Sequence, residues 1–218
     1  MNKQRIIVCG ATGFIGKNIL FHFAKNTKYE VIGLFHKRPK FKIKNVKWRK
    51  IDLLDSKNIK KIFKKNDIVF QSAATTSGSK DIVNKPYFHV TDNAIMNSLI
   101  LRETFEKKIK HLIFFSCSVM YNSKKTYVKE SDFNLNKSIH DKYFGVGWTK
   151  VYIEKMCEFY SKISDIKYSV VRHSNIYGPH DKFDLEKSHF FGASVTKVLS
   201  AENNKIKIWG SGKEKRDL

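Results

Sequence analysis

Glycines at 10, 13 and 16 in GATGFIG follow the apolar run RIIVCG (5–10) and open FIGKNILFHFAKN (14–26), whose apolar residues recur at helical spacing. At a strand-to-helix turn that spacing serves a pyrophosphate. It gives a tight exit from the strand, lets backbone approach the anion, and seats the helix close on the sheet with its first N–H groups facing the charge. Thr12, Phe14 and Ile15 belong to the same loop and are candidate dinucleotide ligands with the three glycines. The second strand ends in LFHKR, where an acidic residue would hold the ribose hydroxyls of NAD. His36, Lys37 and Arg38 suit a 2′-phosphate instead, so NADP is the expected cofactor. NAD remains the alternative, because 42 Lys and Arg against 20 Asp and Glu could place a basic trio there by composition alone.

The elements that must hold this loop are legible as alternation. Apolar runs at 5–10, 30–35, 46–53, 67–74, 110–118 and 167–174 predict strands. Between them, helical periodicity predicts helices at 14–26, at 56–65 behind a Ser56 cap, at about 91–107 and at 147–163. Nearly continuous apolar strands separated by helices specify an α/β fold, a Rossmann-type doubly wound parallel sheet covered on both faces. Residues 1–174 form the expected dinucleotide-binding domain. Beyond 175 a loop, one helix and a short strand predict the start of a smaller substrate-binding region, 175–218.

Composition narrows the class. A 218-residue chain with 41% hydrophobic residues can bury a full core. Its first residues run straight into a strand and no apolar run is long enough to cross a bilayer, so a cytoplasmic protein without a membrane partner is expected. Three scattered cysteines make neither a disulfide frame nor a metal set, so no metal is expected. The formal charge of +22 is spread along the chain without a nucleic-acid signature. No nucleic-acid partner is expected, while an anionic substrate is favoured.

The 3-3 glycine spacing, IDLLD after the third strand and SAA ending the fourth resemble the extended short-chain dehydrogenase/reductases, the sugar-nucleotide epimerases and dehydratases. The resemblance covers essentially the whole chain. It implies that Asp52 and Leu53 flank the adenine and that Ala73 and Ala74 line the ribose and phosphates. In these enzymes a tyrosine exchanges a proton with the sugar oxygen, a lysine four residues later lowers its pKa and holds the nicotinamide ribose, and a Ser or Thr assists. FGVGWTK (144–150) keeps the lysine as Lys150 but has Val146 where the tyrosine belongs. SCSVMY (116–121) puts Cys117 at the Ser/Thr position, with Ser118 beside it.

SNIYGPHDKFDLEKSH (174–189) and WGSGKEKRDL (209–218) resemble the GDP-fucose synthases, which epimerise and reduce a GDP-4-keto-6-deoxy sugar with NADPH. That resemblance assigns His189 as an acid/base, and Asn175, Lys197, Trp209 and Arg216 to the nucleotide diphosphate and sugar. It also implies a homodimer built on the two long helices, and a substrate region that continues beyond residue 218. The family's second acid/base, a cysteine, is Val119 here. Cys117 lies two residues away, on the same face of a continuing strand and about 6.6 Å from it.

Three readings follow. The chain is a sugar-nucleotide epimerase/reductase whose hydride chemistry is altered and whose proton transfer uses His189, Cys117 and Lys150. Alternatively it is a reductase that recruits Tyr143, seven residues before Lys150 and about 10 Å along an ideal helix, where Gly145 and Gly147 argue against a regular helix. Or it is a catalytically silent dinucleotide-binding module that partners an active homologue.

Overall fold

The computed structural model describes residues 3–75, 86–121, 127–185, 188–203, 205–208 and 210–212. Six strands form one sheet: β1 (Gln4–Cys9), β2 (Tyr29–Phe35), β3 (Val46–Lys50), β4 (Ile68–Gln71), β5 (His111–Cys117) and β6 (Lys167–His173). Their order is β3-β2-β1-β4-β5-β6 and every pairing is parallel. This is the Rossmann-type sheet expected. The order reverses between β1 and β4, so the ligand crevice lies at the carboxyl ends of those strands.

Strand pleating divides the core. Ile6 and Val8 of β1 pack with Leu20 of helix α1 (Phe14–Ala24), while Ile7 and Cys9 point to the opposite face. There they join Ile32, Leu34, Leu112 and Phe114 beneath Ile100 and Ile153. Burial on both faces explains why these strands read as unbroken apolar runs.

Helix α2 (Ser56–Ile59) is far shorter than the 56–65 expected, and its cap is Asp55, whose carboxylate accepts the Lys57 N–H at 2.8 Å. Lys57, Lys61 and Lys65 repeat at intervals of four, as do Lys60 and Lys64, and that like-charge spacing opposes a longer helix.

Helix α3 (Pro86–Glu106) begins earlier than 91, at a proline whose fixed φ suits a first helical turn. Helix α4 (Phe144–Lys162) also begins earlier and runs unbroken through Gly145 and Gly147, contrary to expectation. Packing is the reason. A Cβ at 145 would sit 2.7 Å from a Val90 methyl on α3, and one at 147 would sit 2.9 Å from Ile139, so both glycines permit close approach.

After β6, the loop leads to α5 (Phe190–Leu199). The short strand expected there is, among the described residues, a single bridge between Glu202 and Lys205.

Candidate active site

The phosphate loop is a backbone construction. Gly10 has φ 71°, and a Cβ on it would lie 2.7 Å from the Ala73 Cα at the end of β4. Gly16 is buried, and a Cβ there would collide with the Gly10 carbonyl and lie 2.9 Å from the Ala11 Cα. Gly13 donates to the Gly10 carbonyl at 2.9 Å and caps α1 without any side chain bonding the first-turn N–H groups. Those donors are left for an anion, with Thr12 in the turn and Phe14 and Ile15 opening the helix. The residues present therefore fit a dinucleotide pyrophosphate.

The flanking candidates converge on the same rim. Phe35 ends β2, and His36, Lys37 and Arg38 follow it, all exposed. The His36 ring nitrogen lies 3.8 Å from the Asp52 carboxylate, so an acid from the next loop stands beside the basic trio. Asp52 also accepts the Leu54 N–H at 3.0 Å, and Leu53 is buried in the core. Strand β4 stops at Gln71, earlier than expected, leaving Ala73 and Ala74 in the loop that passes Gly10.

Sequence reasoning missed what fixes this loop. The Asn93 side chain on α3 accepts the Thr75 N–H and donates to the Thr75 carbonyl, both at 3.0 Å. One turn on, Asn97 accepts from the buried Gln71 amide at 2.9 Å. The signal was present as His89, Asn93 and Asn97, polar residues at four-residue spacing on a core helix.

Lys150 anchors the second half of the site. Its ammonium donates to the Phe115 carbonyl at 2.7 Å and lies 4.7 Å from the Phe114 ring centroid. Burial holds it below the ordinary lysine range, with Cys117 and Glu154 drawing it partly back. Arg172 of β6 grips Glu154 at 2.7 Å and the Tyr121 hydroxyl at 2.8 Å, tying α4 to β6 and to the turn after β5.

Strand β5 ends at Cys117, and residues 118–120 form a 3₁₀ turn closed by the Tyr121 N–H on the Ser118 carbonyl at 3.1 Å. The strand alternation expected to place Cys117 and Val119 on one face therefore does not hold. It is the Val119 backbone N–H that meets the Cys117 sulfur. Burial pushes the Cys117 thiol up, ahead of the lowering by Lys150 and that N–H, so the group stays protonated at neutral pH.

Tyr143 ends a 3₁₀ turn and caps α4, 41% exposed, with its ring 5.9 Å from that of His140. His189 caps α5 and is exposed. Asn175 follows β6, and Lys197 lies in the last turn of α5. Trp209 and Arg216 lie outside the described residues.

A second residue that sequence reasoning missed is His173, the last residue of β6, paired in register with Cys117. Its Nδ1 lies 2.7 Å from the Ser174 carbonyl, and both Lys150 and His189 act on its charge. Its position at the carboxyl end of a strand, where α/β sites gather, was the available clue. An apolar cavity lined by Phe14, Ile15, Phe115, Ile176, Tyr177 and Pro179 joins the phosphate-loop side to this half. Another cavity, lined by Phe133, Glu154, Cys157, Tyr168 and Arg172, lies between α4 and β6 and contains none of the candidate site residues. Among the described residues no group of three His, Cys, Asp or Glu side chains could hold a metal ion, and no helix is long and apolar enough to cross a membrane.

A sequence model of the NAD dependent epimerase/dehydratase family matches residues 6–218. The GDP-L-colitose synthase of Yersinia pseudotuberculosis is 28% identical over 221 residues, covering 99% of this chain and 68% of the relative. The GDP-L-fucose synthase of Escherichia coli is 25% identical over 224 residues, covering 100% and 66%. Among solved structures, the UDP-glucose 4-epimerase of Thermotoga maritima with UDP-glucose superposes with a TM-score of 0.80 at 23% identity, covering 98% of this chain and 68% of that one. A GDP-D-glycero-L-gluco-heptose synthase of Campylobacter jejuni, in the presence of NADPH, gives 0.76 at 21%, covering 91% and 55%. These structural likenesses establish the fold. The chain spans about two thirds of the length of the curated relatives it matches.

Proposed function

Because the chain belongs to the NAD dependent epimerase/dehydratase family, we propose that it is an NADP-binding sugar-nucleotide epimerase/reductase-like protein with an altered proton-transfer set. Its substrate is a 4-keto-6-deoxy nucleotide sugar, GDP-linked by preference. The observation that carries this reading is Lys150, fixed on the Phe115 carbonyl beside Cys117, with an apolar Val146 one turn earlier on the same helix. The ribose-holding cation is kept; the phenol it would activate is replaced.

The first-turn N–H groups of α1 and the Gly10 to Gly16 turn would hold the pyrophosphate of the dinucleotide, which supplies hydride exchange at a sugar carbon when bound. Asp52 and Leu53 would flank its adenine, Ala73 and Ala74 its ribose and phosphates, and Lys150 the nicotinamide ribose. Lys37 and Arg38 favour the 2′-phosphate form, with the nearby Asp52 the argument for NAD. Asn175 and Lys197, with Trp209 and Arg216, would hold the sugar nucleotide. The GDP preference rests on relatives named GDP-L-colitose and GDP-L-fucose synthase.

Residues 1–174 would be the dinucleotide domain and 175–218 part of a substrate region. Exposed Ile95, Tyr152 and Phe159 on the packed helices α3 and α4 favour a homodimer through those helices. A monomer by light scattering at micromolar concentration would remove that part of the reading.

Val146 leaves carbonyl reduction without its usual proton donor, so the reading favours proton exchange at carbon next to the ketone, with His189 as one acid/base. Incubated in deuterium oxide with a GDP-4-keto-6-deoxyhexose, the protein should place deuterium on the sugar, and His189→Ala should stop it. Absence of exchange together with tight NADPH binding would favour instead the silent module, the alternative that Val146 and Val119 support.

A further inference from the structure

We propose that His173 is a general base of this site, taking the proton from the carbon next to the sugar ketone. The inference rests on the epimerase reading above. Two geometric facts carry it, and the charges acting on the ring agree with them. His173 ends β6 at the carboxyl edge of the sheet, partly buried and in register with Cys117. Its Nδ1 is 2.7 Å from the Ser174 carbonyl, which can only accept, so the proton of the neutral ring sits on Nδ1 and the Nε2 lone pair is left for another partner. The charged and titratable groups acting on it are Lys150 from α4 and His189 from the start of α5, the two retained groups of the site.

Electrostatics agree with the tautomer. Burial holds His173 below the ordinary histidine range, Lys150 and His189 press the same way, and the bond to Ser174 opposes them. At neutral pH the ring is therefore uncharged and able to accept a proton, whereas Cys117 stays a thiol and is a poor base. This assigns the deprotonating role to the imidazole.

In the step, Nε2 takes the proton from carbon. The C–H electron pair forms the carbon–carbon double bond of an enolate, and the carbonyl π pair moves onto oxygen, where the Lys150 ammonium balances the charge. The imidazolium keeps its Nδ1 proton on Ser174. Nε2 then gives its proton up to solvent while His189 returns a solvent proton to the carbon, restoring the ketone and the neutral ring, so no oxidant or reductant is consumed.

The test is deuterium incorporation from deuterium oxide into a GDP-4-keto-6-deoxyhexose by the 218-residue protein, without NADPH. His173→Phe should slow exchange about 10²- to 10⁴-fold with NADPH affinity, read by fluorescence titration, unchanged. In the parent the rate should be level through neutral pH and fall only as pH drops through the depressed pKa of His173, because protonation removes the base. Nitrogen NMR of labelled histidine supplies a readout independent of turnover: His173 should be the neutral Nδ1–H tautomer at neutral pH. Exchange retained by His173→Phe, or a charged or Nε2–H ring at neutral pH, overturns the proposal while leaving the epimerase reading in place. No exchange in the parent overturns both.

Discussion

The two halves of the crevice are built from different materials. At the ends of β1 and β4 the site is backbone: three glycines, a helix terminus without a side-chain cap, and a loop clamped by Asn93. At the ends of β5 and β6 it is side chains: Lys150, Cys117 and His173, supported by an Arg172–Glu154 pair. The first half is fixed by sterics, so any side chain added to it meets main chain. The second half is carried by side chains, and on the proposed reading Val146 there occupies the position of the proton donor. On that reading, pyrophosphate binding and proton transfer lie in different halves, and substitutions at Val146 or His173 should leave the glycine turn intact.

The largest expected effect falls on the side-chain half. A ketone that accepts a hydride becomes an alkoxide and needs a proton as it forms, and a positioned acid is worth about 10²- to 10⁴-fold. Val146→Tyr should therefore raise reduction of a GDP-4-keto-6-deoxyhexose by a factor in that range, followed by NADPH absorbance. An unchanged rate would mean that Lys150 is not placed to serve a phenol.

Next comes the backbone half. Gly10→Ala puts a Cβ 2.7 Å from the Ala73 Cα at a φ of 71°. It should cost about 2–3 kcal/mol of stability by chemical denaturation and weaken NADPH binding at least about tenfold. An unaltered midpoint would contradict the steric account.

Asn93→Ala should be milder. It unpairs both backbone groups of Thr75, for about 1–3 kcal/mol, and loosens NADPH binding without touching proton exchange at carbon.

Smallest is Tyr143→Phe. With Tyr143 41% exposed at the helix cap, neither exchange nor reduction should change measurably. Loss of turnover in that variant would instead support recruitment of Tyr143.

Legibility follows the same division. The parallel sheet, the glycine turn and the position of Lys150 were readable because each rests on local spacing or on strands buried on both faces. The start of α4 was not, since Gly145 and Gly147 read as helix breakers until Val90 and Ile139 are seen against them. The relation of Cys117 to Val119 failed because strand alternation was extended one turn too far, into residues 118–120. His173 and Asn93 went unseen because their roles come from partners distant in sequence, Lys150 and His189 for one and Thr75 for the other.

On the proposed reading this frame keeps proton transfer at carbon while Val146 cripples carbonyl reduction. One sample tests it: the parent protein with NADPH and a GDP-4-keto-6-deoxyhexose in deuterium oxide, followed by NMR of the sugar and absorbance of NADPH. Deuterium is expected on the carbon next to the ketone while the ketone and NADPH persist. Rapid consumption of NADPH by the parent, with carbon 4 reduced, would contradict it.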